Sequence, residues 1–143
     1  MPLSKAESIL ADKSEHYDVS LDITRLIVNA CAEAKASDLS VLDVSEVFDL
    51  SDYFVLASGR SDRQVQGIAN KVITAMQECG YRPLAVEGFD RGHWILIDFG
   101  EHIVHIFYEP LRSHYDIEGL WVKAKKLEVI PGREVIVRKQ VAA

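Results

Sequence analysis

Residues His93–Tyr108 read HWILIDFGEHIVHIFY. Two apolar runs flank Gly100-Glu101, and glycine supplies the unusual dihedrals that a two-residue hairpin turn requires. With that turn Phe99 pairs with His102, Asp98 with Ile103, Ile97 with Val104, Leu96 with His105, Ile95 with Ile106 and Trp94 with Phe107. Side chains alternate across a strand. One face of the ribbon therefore carries Ile95, Ile97, Phe99, Val104 and Ile106, which is wholly apolar and belongs to a core. The other carries Trp94, Leu96, Asp98, Ile103, His105 and Phe107. A covered face rarely sets Asp and His beside Trp and Leu, and a solvent face rarely displays Trp, Leu and Phe together. Aromatic anchors with a few polar groups match a partner-binding patch, whose candidate residues are Trp94, Leu96, Asp98, His105 and Phe107. The plainer alternative is that a helix at about residues 20–36 packs on this face, with the polar groups at its rim.

Upstream, YFVLASG (Tyr53–Gly59) is apolar at both alternating positions, as in a strand covered on both faces. Ser61 begins the next element. SDRQ is a capping box, and Val65, Ile68, Ala69, Val72, Ile73 and Met76 follow helical spacing up to Gly80. Strand then helix predicts a βαβ crossover. An earlier helix runs from Ser20 to about residue 36, with Ile23, Leu26, Ile27, Ala30, Cys31 and Ala34 on one stripe. Leu39–Val47 reads as a strand and its exit, and Arg82–Glu87 as a further extended segment. A last helical stretch is expected from about Ser113 to Lys126. The domain organisation is a flexible segment at 1–19, one domain at 20–126 and a tail, or an added edge strand, at 127–143. The fold class is α/β: one domain with a mixed sheet flanked by helices.

The chain has 143 residues, enough for a single core. Twenty-two carboxylates against 16 Lys and Arg give a formal charge of −6, which repels phosphate backbones and suits a basic protein partner. Sequence-specific nucleic-acid binding is not expected. Cys31 and Cys79 read as packed, reduced thiols of a cytoplasmic protein. The first residues lack the apolar run of a signal peptide, and no stretch is long enough to span a bilayer.

Four histidines, His93, His102, His105 and His114, fall in or near the hairpin, but His102 and His105 point to opposite faces, so no metal site is expected. No GxSxG elbow is present, and neither cysteine has a nearby histidine. ASGRS at the start of a helix could hold an anion, as in the nucleotidyltransferase fold. That chemistry needs two carboxylates at alternate strand positions for Mg²⁺, and the strands offer Asp98 alone. The reading is a non-enzyme without a cofactor, the alternative being a nucleotide-binding protein or transferase of nucleotidyltransferase-like fold.

DYFVLASGRSDRQVQGIANKV, EGFDRGHWILIDFG, HIVHIFYEPLR and SHYDIEGLW together resemble the Iojap/RsfS ribosomal silencing factor family. The resemblance covers most of the chain. It implies a nucleotidyltransferase-like fold without catalytic residues. It also implies binding to the large ribosomal subunit through large-subunit ribosomal protein number fourteen, on the face that meets the small subunit. Subunit joining is thereby blocked and translation falls when nutrients are scarce. Isolated members of the family are homodimers. On this resemblance Trp94 and Leu96 match apolar contact positions, whereas Arg112, Tyr115, Glu118, Leu120 and Trp121 match a closing motif that packs the last helix on the sheet.

Overall fold

The computed structural model describes residues 19–130 and 136–138. The elements run α1 (Val19–Glu33), β1 (Ser37–Asp43), β2 (Tyr53–Gly59), α2 (Asp62–Glu78), β3 (Ala85–Glu87), β4 (Trp94–Asp98), β5 (His102–Tyr108), α3 (Glu109–Tyr115), α4 (Ile117–Leu120), β6 (Lys125–Lys126), β7 (Glu128–Ile130) and β8 (Ile136–Arg138). Six strands form one mixed sheet in the order β3-β4-β5-β2-β1-β6, and β7 and β8 form a separate two-stranded ribbon. β2 and β5 are parallel, and the other pairs are antiparallel.

The hairpin register follows the expected pairing at every position from Trp94↔Phe107 to Asp98↔Ile103. Phe99 N donates to His102 O at 2.9 Å, which closes the two-residue turn. Gly100 takes φ +91°, a conformation costly for any residue with a Cβ. The Asp98 carboxylate accepts from Gly100 N at 2.7 Å and holds the bend. The carbonyl of Glu101 at the tip accepts from Asp52 N and Tyr53 N, docking the turn on the β1–β2 loop.

All seven residues of β2 are buried, because both faces of the sheet are covered at its centre. On one face lie α1 and α2. Ile27, Val28 and Cys31 from α1 and Val65, Ile68, Ala69, Val72 and Met76 from α2 pack on Val55, Ile95, Ile97, Val104 and Ile106. α1 and α2 therefore cover the hairpin face of Ile95, Ile97, Val104 and Ile106, which His102 shares, and not the mixed one. Burial pushes the Cys31 thiol up to about 12, so it stays protonated. Cys79 differs from expectation: α2 ends one residue before it, and the side chain is exposed instead of packed.

Two further boundaries depart from the sequence reading. The last helical stretch is not continuous. Asp116 adopts left-handed geometry (φ 43°, ψ 53°) between α3 and α4, and its carboxylate accepts from Gly119 N at 3.1 Å. Asp tolerates this conformation because its short polar side chain can serve as a local acceptor. After Trp121 the chain turns to give β6 as the sheet edge beside β1. Beyond it, the β7–β8 ribbon docks on α1: Val137 is fully buried, and Arg25 donates to its carbonyl from Nε (3.3 Å) and Nη2 (3.1 Å). The expected flexible segment at 1–19 lies outside the described residues except for its last.

Candidate partner-binding face

The second face of the sheet is set by register. Trp94, Leu96 and Asp98 of β4 stand opposite Phe107, His105 and Ile103 of β5. These in turn pair with Ser58, Leu56 and Phe54 of β2, and Leu56 and Phe54 with Ser40 and Leu42 of β1. This face is not open along its whole width. Phe48 from the β1–β2 loop, Ile117 from α4, and Trp121 and Ala124 beyond it pack on Phe54, Leu56, Phe107 and Leu42. The Trp121 ring meets Phe48 at 5.2 Å and Phe54 at 5.3 Å, both edge-on, the favoured arrangement of aromatic pairs.

The five candidate residues thus divide. Phe107 is fully buried and His105 almost so, beneath the aromatic cover. Trp94, Leu96 and Asp98 are half-buried and form the part of the face the cover does not close. Trp94 is held on three sides. It stacks on Phe107 at 5.4 Å, meets Tyr115 of α3 at 4.6 Å, and donates from Nε1 to His105 Nδ1 at 3.2 Å. Accepting at Nδ1 fixes the neutral His105 tautomer with its proton on Nε2. That Nε2 is buried without a hydrogen-bond partner among the described residues. His102 points to the opposite face, where its Nε2 lies 2.8 Å from Thr24 Oγ1 and its ring stacks on Tyr53.

Burial lowers the His105 pKa to about 4, because a charged imidazolium there would be stripped of water. The folded value lies below that of the unfolded chain, so the unfolded state binds the proton first as pH falls. The stabilisation is complete above about pH 6.5 and is lost as pH drops toward 4. Unfolding stability should therefore fall by about 2 kcal/mol between pH 7 and pH 5, and this loss should disappear in His105→Phe. Urea titrations of both chains at the two pH values would measure it; equal losses in both would remove His105 as the cause.

The closing motif has a more divided role than expected. Arg112 forks onto Glu118 (Nε to Oε1 at 3.0 Å, Nη2 to Oε2 at 3.3 Å) and donates from Nη1 to Ser58 Oγ at 2.9 Å and to the Asp38 carbonyl. Trp121 packs inward. Leu120 does not pack on the sheet as expected; it is 73% exposed, and Val122, two residues on, is 79% exposed. Leu50 in the β1–β2 loop is as open at 78%, beside Phe48, which touches Trp121. Leu50 and Val122 left little signal in the sequence, because each sits among other apolar residues, in VFDLSD and LWVKAKK.

The start of α2, where an anion could sit, is filled from within. Ser61 Oγ accepts from Gln64 N at 3.1 Å, as a capping box requires. Gln64 Oε1 reaches back to Arg60 N (2.7 Å), and Asp62 Oδ1 takes Arg63 N (2.7 Å). β2 and β5 carry no carboxylate, and Asp98 of β4 stands alone, with one oxygen on its own turn. Among the described residues no three His, Cys, Asp or Glu side chains are placed to hold a metal ion.

The architecture defines the class: a single-domain α/β protein on a mixed six-stranded sheet. A family model described as "Ribosomal silencing factor during starvation" matches residues 17–142, and the chain belongs to that family. It is 37% identical over 99 residues to ribosomal silencing factor RsfS of Bacillus subtilis, covering 69% of this chain and 84% of the relative. A crystal structure of a Chromobacterium violaceum protein superposes with a TM-score of 0.69 at 36% identity, over 71% of this chain and 84% of that one. A mouse protein named mitochondrial assembly of ribosomal large subunit protein 1 is 28% identical over 111 residues, 76% of this chain and 48% of its own length.

Proposed function

We propose that this chain is a non-enzymatic translation repressor. It binds the large ribosomal subunit through large-subunit ribosomal protein number fourteen and blocks joining of the small subunit when nutrients are limiting. The observation that carries this reading is the fixed, half-exposed Trp94 beside Leu96 and Asp98. A tryptophan held by two rings and a hydrogen bond loses little freedom on binding, which is what an interface anchor needs. The family and the names of the relatives support the ribosome as partner. The second Asp98 carboxylate oxygen is available to a basic group, consistent with a net charge of −6 and a basic partner. The capped amides of Arg63 and Gln64 at the start of α2, and a single carboxylate on β2, β4 and β5, weigh against the transferase alternative. In isolation the chain forms a homodimer, and if the dimer covers Trp94, silencing depends on protein concentration.

Trp94→Ala should weaken binding to purified large subunits by at least ~30-fold, equivalent to about 2 kcal/mol. Sedimentation with large subunits measures it, with the variant's fold checked by circular dichroism. Undiminished co-sedimentation of a folded Trp94→Ala chain sinks this assignment of the face.

A further inference from the structure

On the side of the sheet that α3 and α4 cover, an open cleft of about 260 Å³ remains at the β1 edge. It is lined by Asp38, Leu39, Ser40, Arg112, Glu118 and Lys126. Register places the polar groups there. Ser40 pairs with Leu56, and Leu42 with both Phe54 and Lys126, so Ser40 and Lys126 share the face of the aromatic cover. Ser40 is only 4% exposed, and its hydroxyl has no hydrogen-bond partner among the described residues. Buried hydroxyls are normally paired. The other unpaired atom on this face, His105 Nε2, belongs to a ring that the Phe54 ring meets edge-on at 5.0 Å. Ser40 instead borders a space that admits a partner.

The charges that line the cleft balance: Asp38 and Glu118 against Arg112 and Lys126. Arg112 and Glu118 are already forked together. The Asp38 carboxylate and the Lys126 ammonium are not. The ion pairs among the described residues are Arg25–Asp22, Lys71–Glu33, Arg112–Glu118 and Lys125–Glu46. Two opposite charges thus border one cleft without meeting each other. The backbone at Asp38 is also unusual. It takes φ 51°, the pairing register shifts between Ser37 and Ser40, and Arg112 Nη1 holds the Asp38 carbonyl. Backbone kept in a sparsely populated conformation clusters at ligand sites.

We propose that this cleft binds a small zwitterion, a free amino acid. Its ammonium meets Asp38 and its carboxylate meets Lys126, each a charge-assisted hydrogen bond. A rotation of Ser40 χ1 to another staggered well turns the unpaired hydroxyl to the ligand. A simple anion would gain Lys126 but also face Asp38 and Glu118. A simple cation would gain the carboxylates but face Lys126 and Arg112. Only a molecule with both signs meets each charge with its opposite. The volume lies below that of drug-sized sites, which suits a molecule of about ten non-hydrogen atoms. The inference does not rest on the ribosome reading. The cleft belongs to β1 and β6, whereas Trp94 stands on β4, three strands from β1 in the sheet.

The test titrates the full chain with each of the common protein amino acids in turn, read by calorimetry and by amide NMR shifts. Succinate and 1,4-diaminobutane serve as controls of a single sign. At least one amino acid should bind saturably with Kd of about 1 mM or tighter, as expected for so small a ligand in an open site. Its addition should move the amides of Asp38, Ser40 and Lys126, and both controls should bind ~10-fold more weakly or not at all. Lys126→Gln, Asp38→Asn and Ser40→Ala should each weaken binding about fivefold or more. Asn tolerates the left-handed geometry of position 38, and Lys126 is exposed, so both variants should fold. Ser40→Ala removes an unpaired buried hydroxyl and should leave the urea midpoint of the free chain unchanged or raised, which separates lost binding from lost fold. Three results overturn the proposal: no saturable binding by any amino acid, controls that bind as tightly as the amino acids, or full affinity in both Ser40→Ala and Lys126→Gln.

Discussion

Phe107→Ala should destabilise the protein by about 3–5 kcal/mol, the cost of deleting a buried aromatic ring without relaxation of its surroundings. For a chain of this size that is a fall in Tm of about 10–15 °C. Phe107 is fully buried, stacks on Trp94 at 5.4 Å and His105 at 6.2 Å, and meets the tilted Tyr115 ring at 6.3 Å. Its removal leaves a cavity directly beneath the Trp94 ring. Trp94 would then lose one of the two rings that hold it, so partner affinity should fall as well, but as a consequence of lost support. Trp94→Ala deletes a half-exposed ring and should cost binding more than stability. The two variants separate a core role from a contact role at adjacent positions. Phe107→Leu refills part of the space and should recover about half the loss. Urea unfolding with an unchanged m-value measures all three. A Phe107→Ala loss below about 1 kcal/mol would mean that the cover over this face is loose.

The hairpin was legible because period-two alternation and a glycine turn together fix both register and face. The α2 stripe was legible for the same kind of reason, a capping box followed by helical spacing. What covers the mixed face was not. Phe48, Ile117 and Trp121 come from a loop and from short helices, where no periodicity marks a buried side, and their contacts with Phe54 join residues 67 positions apart in the case of Trp121. Sequence alone therefore assigned Phe107 and His105 to an accessible patch, whereas the structure puts them under it. The break at Asp116 was equally hidden, since an aspartate inside a helical pattern does not announce left-handed geometry.

Arg112 binds these layers together, and Arg112→Met should cost about 2–4 kcal/mol. Its guanidinium touches the start of β1 at the Asp38 carbonyl, the end of β2 at Ser58 Oγ, and α4 through the Glu118 carboxylate. Met retains most of the volume and removes every donor. The buried Ser58 hydroxyl and the Asp38 carbonyl then lose their charged partner, which is where most of the cost arises. The ion pair itself contributes less. The Glu118 side chain is 39% exposed against 12% for Arg112, so water can replace the guanidinium at the carboxylate. Glu118→Gln should consequently cost only about 1 kcal/mol or less. The double variant should cost less than the sum of the singles, because Glu118 has no charge left to satisfy once Arg112 is gone. Arg112→Lys should rescue only part of the loss, since one ammonium cannot reach three elements at the angles of a planar fork. Denaturant unfolding of the four chains reads these differences directly. Full rescue by lysine would show that charge alone, and not the fork, secures α3 and α4 over the sheet. The position of Tyr115 depends on the same anchorage: it follows Arg112 on α3 and closes the upper side of Trp94. An Arg112→Met chain that remains folded should therefore also lose affinity for large subunits, although its position 112 lies outside the half-exposed strip.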